Sequence, residues 1–174
     1  GRGDWREAEG DGLLIPTCLA WEADTFAAML RSFGGYFPSP PWKGAPGTQV
    51  SMSTMNNPLV ELELVFVLKE NLGGRSVNAV DVVRATDFVM PAVEVVDTRY
   101  SKRGKPGVID SISDAASCGF VVVGGNPTSL SDIDVRHVGG ALYKNGEVVE
   151  SGTAAAVMGN PLNSVAWLAR KLDE

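Results

Sequence analysis

From residue 58 onward the apolar residues of this chain fall into short runs separated by turn formers, and the spacing inside each run sets the element it predicts. The run PLVELELVFVLK predicts a strand over 59–68. Side chains two apart share a face of a strand, so Glu61, Glu63, Val65 and Val67 form one face and Leu62, Leu64, Phe66 and Leu68 the other. Both faces are apolar beyond the glutamates, which is the pattern of a strand covered on both sides. Asn78 is placed to cap a helix running to Thr86. Phe88 to Arg99 reads as a second, β-branched strand, with Pro91 expected near its start or at a bulge. A short helix over Ile109–Ser117 and a third strand over Gly119–Val123 follow. Asn145-Gly146 lies between the runs Val138–Lys144 and Glu147–Ser151, a strong hairpin signal. Asn160-Pro161 then opens a helix over Leu162–Leu172, with Val165, Trp167 and Leu168 on its buried face.

The stretch before residue 58 lacks this regularity. Trp21–Arg31 fits a short amphipathic helix, and FGGYFPSPPWKGAPG is a loop by its glycines and prolines. The expected organisation is one globular domain: an irregular N-terminal segment, 1–57, and a β domain, 58–174. Strands outnumber helices and no βαβ alternation occurs, so the fold class is α+β on a mixed, mostly antiparallel sheet with short flanking helices.

Composition narrows the partners. The 174 residues carry a net charge of −6, against nucleic acid or an anionic membrane surface, both of which need basic patches. No apolar run reaches the ~18–20 residues of a membrane span, and GRGDWREAEGDG has no signal-peptide character. The two cysteines, Cys18 and Cys118, belong to no Cys-x-x-Cys motif and read as reduced thiols, so a cytoplasmic location is expected. His137 is the single histidine, which excludes a multi-histidine zinc site. The glycine pairs at 73–74, 124–125 and 139–140 lack the spacing of phosphate-binding loops.

The candidate chemistry lies in the glutamates. Glu61 and Glu63 stand side by side on a strand that is otherwise apolar, and like charges there repel and resist desolvation. Glu94, inside MPAVEVVD, is in the same situation on the next strand. Three such carboxylates suit a hard divalent cation, Mg²⁺ or Mn²⁺, with positions left for water or substrate. The competing reading leaves one face of the strand open to solvent, with the glutamates simply hydrated. Asp97 and Arg99, two apart on one strand face, read as a structural pair or as a contact for a substrate carboxylate.

The order of these segments, PLVELELVFVL, ATDFVMPAVEVVDTR, DSISDAASCGFVVVGG and GGALYKNGEVVESGTAAAVMGNPLNSVAWLARKL, resembles the 2-hydroxypentadienoate (2-keto-4-pentenoate) hydratase and 4-oxalocrotonate decarboxylase family of the fumarylacetoacetate hydrolase superfamily. The resemblance covers about residues 45 to 172. It implies a β-roll like the C-terminal part of fumarylacetoacetate hydrolase, and metal ligation by Glu61, Glu63 and Glu94. The implied activity is a lyase step in the meta-cleavage catabolism of aromatic compounds. Either water is added to a 2-hydroxy-2,4-dienoate, or a 4-oxalocrotonate-type acid is decarboxylated. A homo-oligomer or a complex with a related subunit is expected.

The family's Gly-x-Lys-x-Gly-Leu-Thr lysine has no counterpart in EAEGDGLLIPTCLAWEAD, and Lys43 is not assigned to it, so the acid–base residue stays unassigned. The resemblance also implies that the family's N-terminal helical part and final strands are missing here, which leaves a non-catalytic partner subunit as the reading from another class.

Overall fold

The computed structural model describes residues 14–16, 43–44, 49, 51, 53, 55–97 and 107–173. Seven strands and three helices occur among them: β1 (Leu14–Pro16), β2 (Lys43–Gly44), β3 (Leu59–Leu68), α1 (Ala79–Ala85), β4 (Thr86–Val96), α2 (Val108–Ser113), β5 (Cys118–Val123), β6 (Gly139–Lys144), β7 (Glu147–Thr153) and α3 (Pro161–Leu172). Five strands make one sheet in the order β1-β3-β4-β5-β2, and β6 and β7 make a separate two-stranded sheet. Only β2, which runs parallel to β5, breaks the antiparallel pairing. The fold is thus poor in helix and built on a mixed, mostly antiparallel sheet.

β3 and β4 are the longest strands, and Phe66 lies opposite Val89 in their ladder. Both side chains are fully buried, and with Leu64 they pack against Val82 of α1 and Val165 and Leu168 of α3. Each such side chain removed from water contributes roughly 1.5–3 kcal/mol, which fixes this face of the sheet inward. Local signals hold the helices in place. Asn78 Oδ1 accepts a hydrogen bond from Val80 N at 2.8 Å, and Asn78 N donates in turn to Asp81 Oδ2 at 3.0 Å, completing a capping box. Asn160 accepts from Leu162 N at 3.0 Å, with Pro161 in the first helical turn. Asn145 (φ 54°) and Gly146 (φ 89°) both take the left-handed conformation that a tight two-residue hairpin demands. The hairpin lies over the sheet at Leu62: a Cβ on Gly140 would come within 2.7 Å of the Leu62 side chain.

The described part of segment 1–57 contributes β1 and β2, one at each edge of the sheet. Such short strands are held by the hydrogen bonds of an exposed sheet edge, which leave no period in the sequence. The helix expected at Trp21–Arg31 falls outside the described residues. Pro91 sits inside β4, not at its start, and the register does not shift there. Its carbonyl accepts from Gly124 N at 2.8 Å, on the side where β5 has already ended, so the missing N–H leaves the β3 ladder intact. The helix expected over 109–117 stops at Ser113, and Ala116 (φ 53°) and Ser117 (φ 64°) turn the chain into β5. Finally, β3 is buried on both faces only in its second half. Leu64, Val65 and Phe66 are enclosed, whereas Leu59 and Leu62 are 58% and 48% exposed.

Candidate functional site

Glu61 and Glu63 occupy alternate positions on β3, and Glu94 is the cross-strand partner of Glu61 on β4. Alternation along one strand and direct opposition across the ladder place all three on the same face. One carboxylate oxygen from each lies within 4.8 Å of the other two. Glu94 is 6% exposed and the other two are half-buried. Burial pushes the Glu61 carboxyl up from its ordinary value, since the charged form loses water there. Glu63 Oε2 is enclosed, and the residue takes part in further interactions.

This donor set fits a hard divalent cation. Ligand oxygens at about 2.0–2.1 Å from Mg²⁺ stand about 3–4 Å apart, so the observed separation closes with small side-chain rotations. Three carboxylates also leave coordination positions for water or an oxygen-bearing ligand. The surrounding face is apolar. Val65 and Ala92 adjoin Glu63 by register and are buried, while Met90, Val121 and Val123 are half-buried.

The other residues singled out in the sequence have separate roles. His137 is exposed on a surface turn, 3.5 Å from Asp134 Oδ2, and takes no part in the carboxylate group. Hydrogen bonds from the Arg136 side chain and backbone, with the charge of Arg136, hold the Asp134 carboxyl well below the usual range, so this acidic turn is a closed local pair. Asp97 turns to the main chain, accepting from Asn57 N at 2.7 Å and from Asn56 N at 3.0 Å. Arg99 lies outside the described residues. Asp114 is buried at the head of β5 and accepts from Ser117 Oγ at 3.1 Å, across the left-handed residues that begin that strand.

Pairing of the backbone gives Lys43 a place. Lys43 pairs with Val121, Val121 with Glu94, and Glu94 with Glu61. Position 43 therefore belongs to the same cross-strand row as the carboxylates, two strands or about 10 Å from Glu94. No spacing rule within the sequence exposes this relation, because it passes through three separate strand pairings.

No protein-family model matches the chain. Among curated proteins it is 43% identical to 4-oxalocrotonate decarboxylase of Pseudomonas putida over 128 residues, which covers 74% of this chain and 48% of that protein. It is 41% identical to 2-hydroxypent-2,4-dienoate hydratase of Pseudomonas putida over 115 residues, covering 66% of this chain and 51% of the relative. Among solved structures, 4-oxalocrotonate decarboxylase from Pseudomonas putida G7, complexed with magnesium and adipate, superposes with a TM-score of 0.70 at 41% identity. That match covers 74% of this chain and 49% of the other. The chain spans about half the length of the relatives it matches.

Proposed function

This chain belongs to the family of 4-oxalocrotonate decarboxylases and 2-hydroxypentadienoate hydratases, and from that premise we propose that it is a metal-dependent hydro-lyase acting on a 2-hydroxy-2,4-dienoate. The observation that carries the reading is the convergence of Glu61, Glu63 and Glu94 to within 4.8 Å on one sheet face. These three residues hold the cation, Mg²⁺ or Mn²⁺. The magnesium complex of the decarboxylase relative supports the choice of a divalent ion. Bound there, such an ion supplies Lewis acidity toward the carboxylate and 2-oxygen of a 2-oxo acid.

The chain's own residues do the rest. The half-buried Met90, Val121 and Val123 present apolar surface to the carbon skeleton of the dienoate. Lys43, whose backbone position falls in the row of the carboxylates, is the proposed proton carrier. The reaction adds one water without any redox change. A proton leaves the 2-hydroxyl and one arrives at C5, giving a conjugated 2-oxo acid. Hydroxide character then adds at C4 and a proton at C3, yielding a 4-hydroxy-2-oxo acid. Proton transfer from a positioned group is typically worth about 10²–10⁴-fold. The same reading takes the five-stranded sheet as part of a β-roll of the fumarylacetoacetate hydrolase type, in a chain that works as a homo-oligomer or beside a related subunit.

The decarboxylase alternative has its own support in the likeness to 4-oxalocrotonate decarboxylase. Product analysis separates the two, since one reaction consumes water and the other releases CO₂. The first experiment is calorimetry of oxalate binding with and without Mg²⁺. Binding that requires the metal supports the site. Oxalate binding that ignores metal, or fails altogether, removes the enzyme reading and leaves the chain as a non-catalytic partner subunit.

A further inference from the structure

We propose that Asp97 is a positioning residue for the carboxylate cluster: its side chain clamps the end of the β3–β4 ladder that repulsion between Glu61, Glu63 and Glu94 would otherwise open. This inference rests on the metal reading given above.

Glu61–Glu94 is only the third pair from the end of that ladder, after Leu59–Val96 and Val60–Val95. Strand ends fray, and directly opposed like charges favour fraying. The apolar side chains at this end give little resistance, because Leu59, Val60 and Leu62 are about half exposed. Asp97 supplies what packing does not. It follows β4 directly, and its carboxylate reaches back to the chain that leads into β3. Asn57 N donates to Oδ1 at 2.7 Å, and Asn56 N donates to both oxygens at 3.0 Å. Hydrogen bonds to an ionised acceptor are about twice as strong as neutral ones.

The same residue ties in the third strand. Asp97 N donates to Ser117 O at 2.7 Å, immediately before β5. Gly119 permits the approach: a Cβ there would lie 2.8 Å from Val95 O and 3.2 Å from Asp97 Cβ. The ends of β3, β4 and β5 are therefore joined through one side chain and its own N–H. Without the clamp, a cation must re-form the strand end as it binds, so its apparent affinity falls by the fraction of molecules in the closed state.

The test uses the full 174-residue chain, with Mn²⁺ alone as the probe. Asp97→Ala is expected to weaken Mn²⁺ binding on the order of tenfold, the lower end of what loss of a supporting partner costs a metal site. Asp97→Asn keeps one acceptor oxygen for Asn57 N and is expected to lie between Asp97→Ala and the parent. Hydrogen exchange gives a readout independent of activity. The amides of residues 59–62 are expected to exchange faster in both variants without metal, and to regain protection when Mn²⁺ is saturating. Asp97→Asn carries the test if the alanine variant does not fold. Folded variants that bind Mn²⁺ as tightly as the parent overturn the proposal, even with lowered melting temperatures, because that pattern is structural support alone. If the parent itself binds no Mn²⁺, the metal reading fails and takes the positioning role with it. Exchange at 59–62 would then report only whether Asp97 closes the strand end.

Discussion

Glu61 and Glu94 are direct partners across an antiparallel ladder, two carboxylates set opposite each other where most sheets would place an apolar or oppositely charged pair. With Glu63 beside them, one oxygen from each carboxylate lies within 4.8 Å of the others, a donor set that suits a cation.

Metal should therefore appear as stability. A ligand that binds only the folded state adds about 2.7 kcal/mol at one hundred times its dissociation constant. For a domain of this size that corresponds to a rise of roughly 5–10 °C in melting temperature. Mg²⁺ or Mn²⁺ is expected to produce it in a thermal scan, and Glu63→Gln to abolish it. A parent chain that melts at the same temperature in chelator and in either metal would count against the site.

The pH dependence has a definite sign. Burial raises the Glu61 carboxyl in the folded chain. A raised carboxyl stabilises the fold below its unfolded-state value, and that contribution is lost as pH climbs through the folded value. In chelator at neutral pH the ionised group is a burden, and Glu61→Gln is expected to stabilise by roughly 0.5–1 kcal/mol, the scale of an opposed like-charge pair. The advantage should shrink toward pH 4, and paired urea titrations at the two pH values read it directly. In Mg²⁺ at neutral pH the order should reverse.

Lys43 separates binding from turnover. Lys43→Ala is expected to lower hydration of 2-hydroxypenta-2,4-dienoate by about 10²–10⁴-fold, followed by loss of the diene absorbance. Mg²⁺-dependent oxalate binding should persist. Equal rates in parent and variant would transfer the proton role to another group.

The inward face of the sheet tolerates truncation poorly. Phe66 is fully buried between α1, α3 and β4. Phe66→Ala is expected to cost about 3–5 kcal/mol, measured as a lower urea midpoint, with the hairpin turn at Asn145-Gly146 unaffected in its local NMR couplings.

Much of this protein is legible from its sequence because the decisive signals are local. Alternation marks β3, Asn78 and Asn160 mark the helix starts, and Asn145-Gly146 marks the hairpin turn, each through contacts spanning a few residues. Glu61, Glu63 and Glu94 were also identifiable as carboxylates out of place on apolar strands. What lay beyond the sequence depends on pairing between distant segments. The opposition of Glu61 to Glu94, the approach of Asp97 to Asn56 and Asn57, and the row that takes in Lys43 all follow from strand register. Register is fixed by cross-strand hydrogen bonds and the burial of whole faces, and shifting a strand by one residue would move that strand's side chains to the opposite face. The sequence alone determined which residues carry charge and where β3 to β7 run; only the tertiary pairing decided which of those charges meet.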